Sequence, residues 1–434
     1  MSGLLASPWI PTIAMLLLAC GARLLSRSWL APGPFALLIW TVYLVSPLAL
    51  APEYPVPALG PWIILALILS IALGAYLGAG EITAIDHAAP LEPLRCKRML
   101  RLSLYQTLLA CIGVVYWAGK ALSENGLDLS VSGMLMLGHI LSVERYAGGE
   151  PPLLARVLVI WLFPAALLCG MAFRALQTRK ERLLCFLVLI PTVFLSLMQA
   201  TRANTLIVVA LGLCGYVAMR AGSSRDVRLG LTRKGSLTAL AALSVAVSFF
   251  FVVDALRTHD QEHDLRMDAD WNRAKTSSLG YLAVFSHWAN LPDGPGSFHL
   301  GLGAYTFGGM LDAVGLHHRE VGVYAESTSL EGDESNIYTA FRGFIEDFSF
   351  PGAVVLCLVI GLFSGVAYKN TLLGRMTWAA ALAGFYAFLA WSPIISLFVY
   401  NGAVLAVLVG ILTLKSSTNR ASTARSAMTN AHLR

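Results

Sequence analysis

Charge is what this sequence has least of. Only 13% of its 434 residues are Asp, Glu, Lys or Arg, where soluble domains carry about a quarter. A chain so poor in charge cannot cover a folded core with polar surface, so a soluble globular protein is excluded. Cysteine is sparse as well: of seven, Cys20, Cys111, Cys169, Cys185, Cys214 and Cys357 sit inside apolar runs. Cys96 sits in a basic connection, so no disulfide framework is implied. No basic residue precedes the first apolar run, which argues against an ordinary signal peptide. The same absence argues against reading Leu17-Leu18-Ala19-Cys20 as a lipoprotein signal. There is no internal repeat and no low-complexity tract. The apolar runs carry essentially no central ionisable residue, unlike the interrupted, charge-bearing helices that line transport paths.

What the chain has is hydrophobic length. Apolar residues make up 57% of it, in runs of about 17–22 residues, enough to cross a hydrocarbon core of roughly 30 Å. These predict an all-α polytopic membrane protein with about eleven spans on the run-length criterion. They lie near Leu4–Gly21, Leu30–Leu50, Pro61–Gly80, Leu102–Ala118, Leu153–Phe173 and Leu183–Met198. The rest lie near Thr205–Met219, Ser236–Val253, Gly352–Tyr368, Thr377–Ser396 and Phe398–Leu414. Basic residues cluster in alternate connections, so that 21 of the 31 Lys and Arg fall on one side, and the acids divide the opposite way. The positive-inside rule places that basic side in the cytoplasm. The N-terminus is then expected outside and the C-terminus inside.

Four regions follow from this layout. Residues 1–253 hold the first eight spans, with a short Arg-bearing outer loop near 199–204. Residues 254–351 form one large outer loop, and 352–414 hold the last three spans. Residues 415–434, rich in Ser, Thr, Ala and Arg, are expected to be disordered. The large loop is rich in acids, aromatics and glycines, including Gly294, Gly296, Gly301, Gly303, Gly308 and Gly309. Loops of this length are uncommon without a purpose. Phe298–Leu316 is apolar but broken by glycine and is expected to dip partly into the membrane, which requires surrounding protein.

Three segments of this loop carry a resemblance. They are Ser278–Phe285 (SLGYLAVF), Leu302–Gly309 (LGAYTFGG) and Asn336–Phe348 (NIYTAFRGFIEDF). In that order they resemble the large periplasmic loop of the bacterial oligosaccharide repeat-unit polymerases, the Wzy-type O-antigen polymerases. Thr201-Arg202-Ala203-Asn204 resembles the same family's shorter arginine-bearing loop. The match covers roughly residues 200–368. Arg202 to Gly212 and Arg342 to Gly352 each have nine residues between them, one fewer than the Arg–Gly spacing of some members. A role for those glycines is therefore not carried over.

The resemblance implies an inner-membrane glycosyltransferase acting on glycans linked to undecaprenyl pyrophosphate. It transfers the growing chain onto a new lipid-linked unit, in O-antigen or exopolysaccharide synthesis. Expected partners are those lipid-linked substrates, the bilayer, and a flippase and chain-length regulator of the same pathway, with no nucleic acid. No cofactor and no metal are implied. By fold analogy alone, the helices are expected to be similar to those of multi-span lipid-dependent glycosyltransferases. Arginine suits a pyrophosphate, since its planar fork grips phosphate oxygens bidentately and keeps its charge.

Arg202 and Arg342 are the leading anion-binding candidates. The bland readings are a snorkelling anchor for Arg202 and an ion pair with Glu346 at i+4 for Arg342. Arg257, Arg266, Arg273, Lys275 and Arg319 could extend the anion-attracting surface. For the general base, Asp347 is placed first, with Glu346, His287 and His299 behind it. The alternative is that Glu346 and Asp347 favour a helix N-terminus opened by Pro351. Asn336, Tyr338 and Tyr281 are candidates for contacting sugar, or for anchoring at the interface. Asp268-Ala269-Asp270 lacks a nucleotide-binding context, and His259 with His263 lacks a third ligand. The competing functions are an O-antigen ligase, a lipid-linked glycan flippase or transporter, and a scaffold.

Overall fold

A computed structural model describes residues 7–80, 93–222 apart from 129, 148 and 174, and 267–291. It also describes 294–295, 300–317, 324, 326–331 and 333–415. Nearly all regular structure among them is helical. In chain order come α1 (Trp9–Ser26), α2 (Pro32–Leu50), α3 (Leu59–Ala79), α4 (Pro93–Glu124), α5 (Val131–Tyr146), α6 (Leu153–Val159) and α7 (Leu162–Phe173). Then α8 (Arg179–Leu184) leads through a 3-10 turn, Cys185–Val188, into α9 (Leu189–Met198), followed by α10 (Ala203–Ala221). Next are α11 (Met267–Leu279), α12 (Tyr281–Ala289) and α13 (Ala304–Ala313). A short hairpin pairs β1 (Thr328–Leu330) with β2 (Asp333–Ser335), antiparallel, Thr328 opposite Ser335. The described chain closes with α14 (Ala340–Leu372), α15 (Thr377–Trp391) and α16 (Asn401–Lys415).

Among the described residues, eight helical stretches are long and apolar enough to cross a membrane, with α15 and α16 as shorter apolar helices. The protein is a polytopic helical membrane protein. The expected span at Ser236–Val253 lies outside the described residues, as do the tail from 416 on and the candidates Arg257, Arg266, His299 and Arg319. Elsewhere the apolar runs and the helices coincide, with shifted ends. The tenth run stops as a helix at Trp391, because Pro393 cannot donate to the ladder. Helix α5 escapes the run-length criterion because His139, Glu144 and Arg145 interrupt it. Helix α14 begins at Ala340, well before the expected Gly352, but it is broken at Ser349, whose φ of 61° and ψ of 170° are not helical. Pro351 therefore does stand at the start of a helical segment, the one after the break, where its missing N–H costs nothing.

Among the described residues the most extensive helix–helix contact is between α3 and α14. In lipid there is no hydrophobic drive between helices, so association depends on close van der Waals contact, which small residues allow. Both helices carry glycines four apart: Gly74 and Gly78 on one, Gly361 and Gly365 on the other. A Cβ on Gly74 would collide with the Leu358 carbonyl, and one on Gly78 with that of Leu362. Likewise, Gly361 lies against the carbonyl of Ile71 and Gly365 against that of Ala75. Residue numbers rise together along the contact, so the two helices run parallel and start at one pole. A second glycine contact sets Gly170 of α7 against Gly212 of α10, and Gly222 at the end of α10 lies against Thr371 near the end of α14. Helices α3, α10 and α14 therefore all begin at the same pole.

That pole is covered by the elements between α10 and α14. Tyr281 donates to the Tyr43 carbonyl at 2.5 Å, Tyr54 and Thr276 hydroxyls meet at 2.8 Å, and Lys275 pairs with Glu53. These contacts lay α11 and α12 across the α2–α3 connection, where Gly60 admits Ser286. Helix α13 is held on its other side: Ser396 Oγ donates to the Thr306 carbonyl at 3.0 Å, and Gly309 lies against the Val399 backbone. If the α3–α14 contact orders these elements, Gly361→Leu will cost roughly 1–3 kcal/mol by overpacking. Unfolding of the purified protein in mixed micelles measures it, and Val355→Leu at a position 59% exposed is the control that should stay near wild type.

Candidate active site

In the segment Asn336–Phe348, residues 336–339 are irregular and lead into the first turns of α14 at Ala340, whose apolar side is anchored in the core. Phe341 lies on Trp40 with ring centroids 5.0 Å apart, and Phe344 stacks on Phe388 at 5.9 Å. Ala340 N donates to the Ser392 carbonyl at 2.8 Å, tying its first residue to the end of α15. Helical spacing then brings Arg342 and Glu346 onto one face.

Arg342 is 3% exposed, an unusual place for a permanent cation. Its guanidinium carbon lies 3.9 Å from the ring centre of Tyr338, 4.1 Å from Tyr324 and 5.3 Å from Trp288. The π-faces of three rings thus replace part of its lost hydration. Nε donates to Glu346 Oε1 at 2.7 Å and Nη2 to Glu326 Oε2 at 2.6 Å. The i+4 pair anticipated from the spacing forms, but buried rather than on the surface. Nη1 of Arg342 and Oε2 of Glu346 are both buried and have no hydrogen-bond partner among the described residues. Leaving such groups unpaired costs about 1–3 kcal/mol each.

Asp347 is also fully buried, and it works differently. Its Oδ1 accepts from Tyr305 N at 3.2 Å and its Oδ2 from Thr306 N at 2.6 Å. It thereby caps the first turn of α13, whose N–H groups have no partner within the helix and whose dipole favours a negative charge there. The helix-end reading of this carboxylate therefore holds, for a different helix from the one expected. Gly301 N donates to the Glu346 carbonyl at 3.1 Å, and a Cβ on Gly301 would collide with Asp347 Oδ1. Gly303 takes a φ of 95° at the start of α13, a conformation glycine adopts without strain. Gly303 of the Leu302–Gly309 motif, and Gly301 just before it, are thus explained by the approach of α13 to this carboxylate.

Helix α13 in turn supplies Tyr305, which stacks on Tyr324 at 5.4 Å between ring centres. A Cβ on Gly343 would stand 3.2 Å from both Tyr305 Cβ and Tyr324 Oη, so a larger residue would push these rings apart. Burial drives the Tyr324 phenol well above its usual range; nearby Glu346 adds to the rise and Arg342 opposes it. Tyr324 therefore stays neutral beside the guanidinium.

The structure gathers Arg342, Glu346, Asp347 and Tyr338 in one cluster. Asn336, exposed, adjoins it by donating to the Tyr324 carbonyl at 3.3 Å. Tyr281 is buried against the α2–α3 side, and Arg273 and His287 are exposed on α11 and α12. Arg202 stands at the N-terminus of α10, so it belongs to the same pole. Its turn is closed by Thr201 N to the Ser196 carbonyl at 2.8 Å and by Asn204 Nδ2 to Gln199 Oε1 at 3.0 Å. Ala200 beside it has a φ of 46°. Trp288, Tyr305, Tyr324 and Glu326 join the site without having been singled out. Tyr305 lay within a quoted motif and Trp288 just beyond one, whereas nothing in the stretch around Tyr324 and Glu326 signalled them.

Among the described residues no three His, Cys, Asp or Glu come close enough to hold a metal ion. His259 and His263 lie outside them. No family model, curated protein or solved structure matches the chain. If Asp347 holds α13, Asp347→Ala will strip two buried N–H groups of their acceptor. A loss of about 1–3 kcal/mol is then expected, read as a lower unfolding midpoint, with Asp347→Asn intermediate.

Proposed function

We propose that this chain is a bacterial inner-membrane glycosyltransferase that polymerises oligosaccharide repeat units linked to undecaprenyl pyrophosphate. The observation that supports this best is Arg342, buried in an aromatic box beside Glu346, with one donor of the guanidinium and one carboxylate oxygen unpaired among the described residues. On this reading the chain has about eleven spans, with its N-terminus in the periplasm and its C-terminus in the cytoplasm. Residues 254–351 form the periplasmic loop over the active site, and the pole where α3, α10 and α14 begin faces outward.

The reaction joins the anomeric carbon of the growing glycan to a hydroxyl of the incoming lipid-linked unit. The bond to the pyrophosphate oxygen breaks, and the lipid pyrophosphate leaves with the electron pair. Arg342 and Arg202 meet the charge that accumulates on those oxygens, the term that is usually largest in catalysis. The hydroxyl proton passes to a carboxylate. Glu346 is better suited to receive it than Asp347, because both Asp347 oxygens already accept backbone N–H groups while Glu346 Oε2 accepts none among the described residues. Asp347 then holds α13 and, through it, Tyr305. Tyr338, Tyr324 and Trp288 keep the guanidinium in place, and Asn336 lies where a sugar could be met.

The size distribution of lipid-linked and surface glycan in a strain deleted for this gene tests the reading. Glycan halted at one repeat unit, with long chains restored by the gene, supports polymerisation. Long chains held on the carrier indicate a ligase instead, and an unchanged profile removes both enzymes. With purified protein, Glu346→Gln should lower turnover by roughly 10²–10⁴-fold with substrate binding largely kept. Arg342→Lys, which keeps charge but loses the fork, should weaken binding as well.

A further inference from the structure

Resting on the anion-binding role given to Arg342, we propose that Glu326 is a built-in stand-in for an oxyanion: it fills half of a two-donor anion site, and a phosphate-type ligand displaces it. The two carboxylates on Arg342 are not equivalent. Glu346 is on the same helix, its side chain 19% exposed, and it takes Nε. Glu326 reaches in from sixteen residues upstream, its side chain is 70% exposed, and it takes Nη2 alone. The remaining donor on that edge, Nη1, is buried and without a hydrogen-bond partner among the described residues.

The Nη1–Nη2 edge of a guanidinium is one of its two forks, each able to grip two oxygens of one phosphate. Here the Nε side is engaged by Glu346. A carboxylate using one prong leaves the site half filled. A phosphate oxyanion on both prongs would satisfy the buried Nη1 and form two charge-assisted bonds where one stood. Releasing Glu326 is cheap on the carboxylate's side, because its side chain is 70% exposed and readily rehydrated, and the incoming oxyanion takes over its charge on the buried guanidinium. Releasing Glu346 would instead strand a buried charge. The guanidinium itself need not move, since the rings of Tyr338, Tyr324 and Trp288 hold it in place. Glu326 also sets a threshold: a ligand offering a single oxygen gains nothing by the exchange.

The test measures binding of inorganic pyrophosphate, and of a short isoprenyl pyrophosphate, to the purified full chain in detergent by calorimetry. Wild type is compared with Glu326→Gln, Glu326→Ala and Arg342→Lys. Both Glu326 variants should bind either probe about tenfold more tightly than wild type, since the competing charge-assisted bond is gone. Arg342→Lys should bind at least about tenfold less tightly, because an ammonium lacks the fork. Preference for the isoprenyl probe would identify a lipid headgroup as the source of the anion; equal affinity would identify a free phosphate. Unchanged affinity in both Glu326 variants, or affinity that survives Arg342→Lys, would overturn the proposal. These readings need no turnover, so a failure of the polymerase assignment leaves them interpretable on their own.

Discussion

The glycine-to-backbone contact between α3 and α14 is the constraint from which the rest of the architecture follows. A bilayer gives apolar helices no reason to associate through apolar side chains, since lipid tails solvate them equally well. Removing four side chains lets the two backbones touch, and dispersion over that length takes the place of hydrophobic drive. Because the contact is parallel, both helices begin at one pole, and whatever precedes α14 must pack there. The break at Ser349 completes the arrangement. It allows the turn carrying Arg342, Glu346 and Asp347 to leave the axis of the spanning segment and pack against Trp40 and Phe388.

At that pole two acidic neighbours on one short helix do unlike work because different groups meet them. Asp347 is met by the first N–H groups of α13 and becomes a cap. Glu346 is met by Arg342 and keeps one oxygen unpaired among the described residues. The glycines around them serve the same packing: Gly301 makes room for Asp347, and Gly343 makes room for the Tyr305–Tyr324 stack. A buried cation among rings and carboxylates is costly to assemble, and unpaired buried polar atoms add to that cost. Such arrangements are found where a fold gives up stability for a ligand. This is why the cluster, rather than the exposed Arg273 or His287, carries the functional reading.

Much of this was legible in the chain itself. Hydrophobic run length gave nearly every described helix of the bundle, because hydrocarbon thickness acts on each segment separately. The i+4 spacing of Arg342 and Glu346 announced their pairing for the same local reason. The motif Asn336–Phe348 contains Tyr338, Arg342, Glu346 and Asp347, which the fold gathers into one cluster. Less legible was the division of labour within it: Asp347 stood first as a general base, while its oxygens prove to be engaged by α13. The glycine pairs at 74/78 and 361/365 lie on helices far apart in sequence, and their matching could not be read from either alone.

By itself, then, the sequence determined that the chain spans a membrane many times, where its charges gather, and which two arginines stand near span ends. Those properties depend on composition and on distances of a few residues. The tertiary structure alone decided that Trp288, Tyr324 and Tyr338 enclose one of those arginines, that Glu326 reaches its far edge, and that Asp347 caps a helix beginning more than forty residues before it. These contacts join segments with no common periodicity. They exist only because α3 and α14 bring their ends together, and the loops between must fold over the same pole.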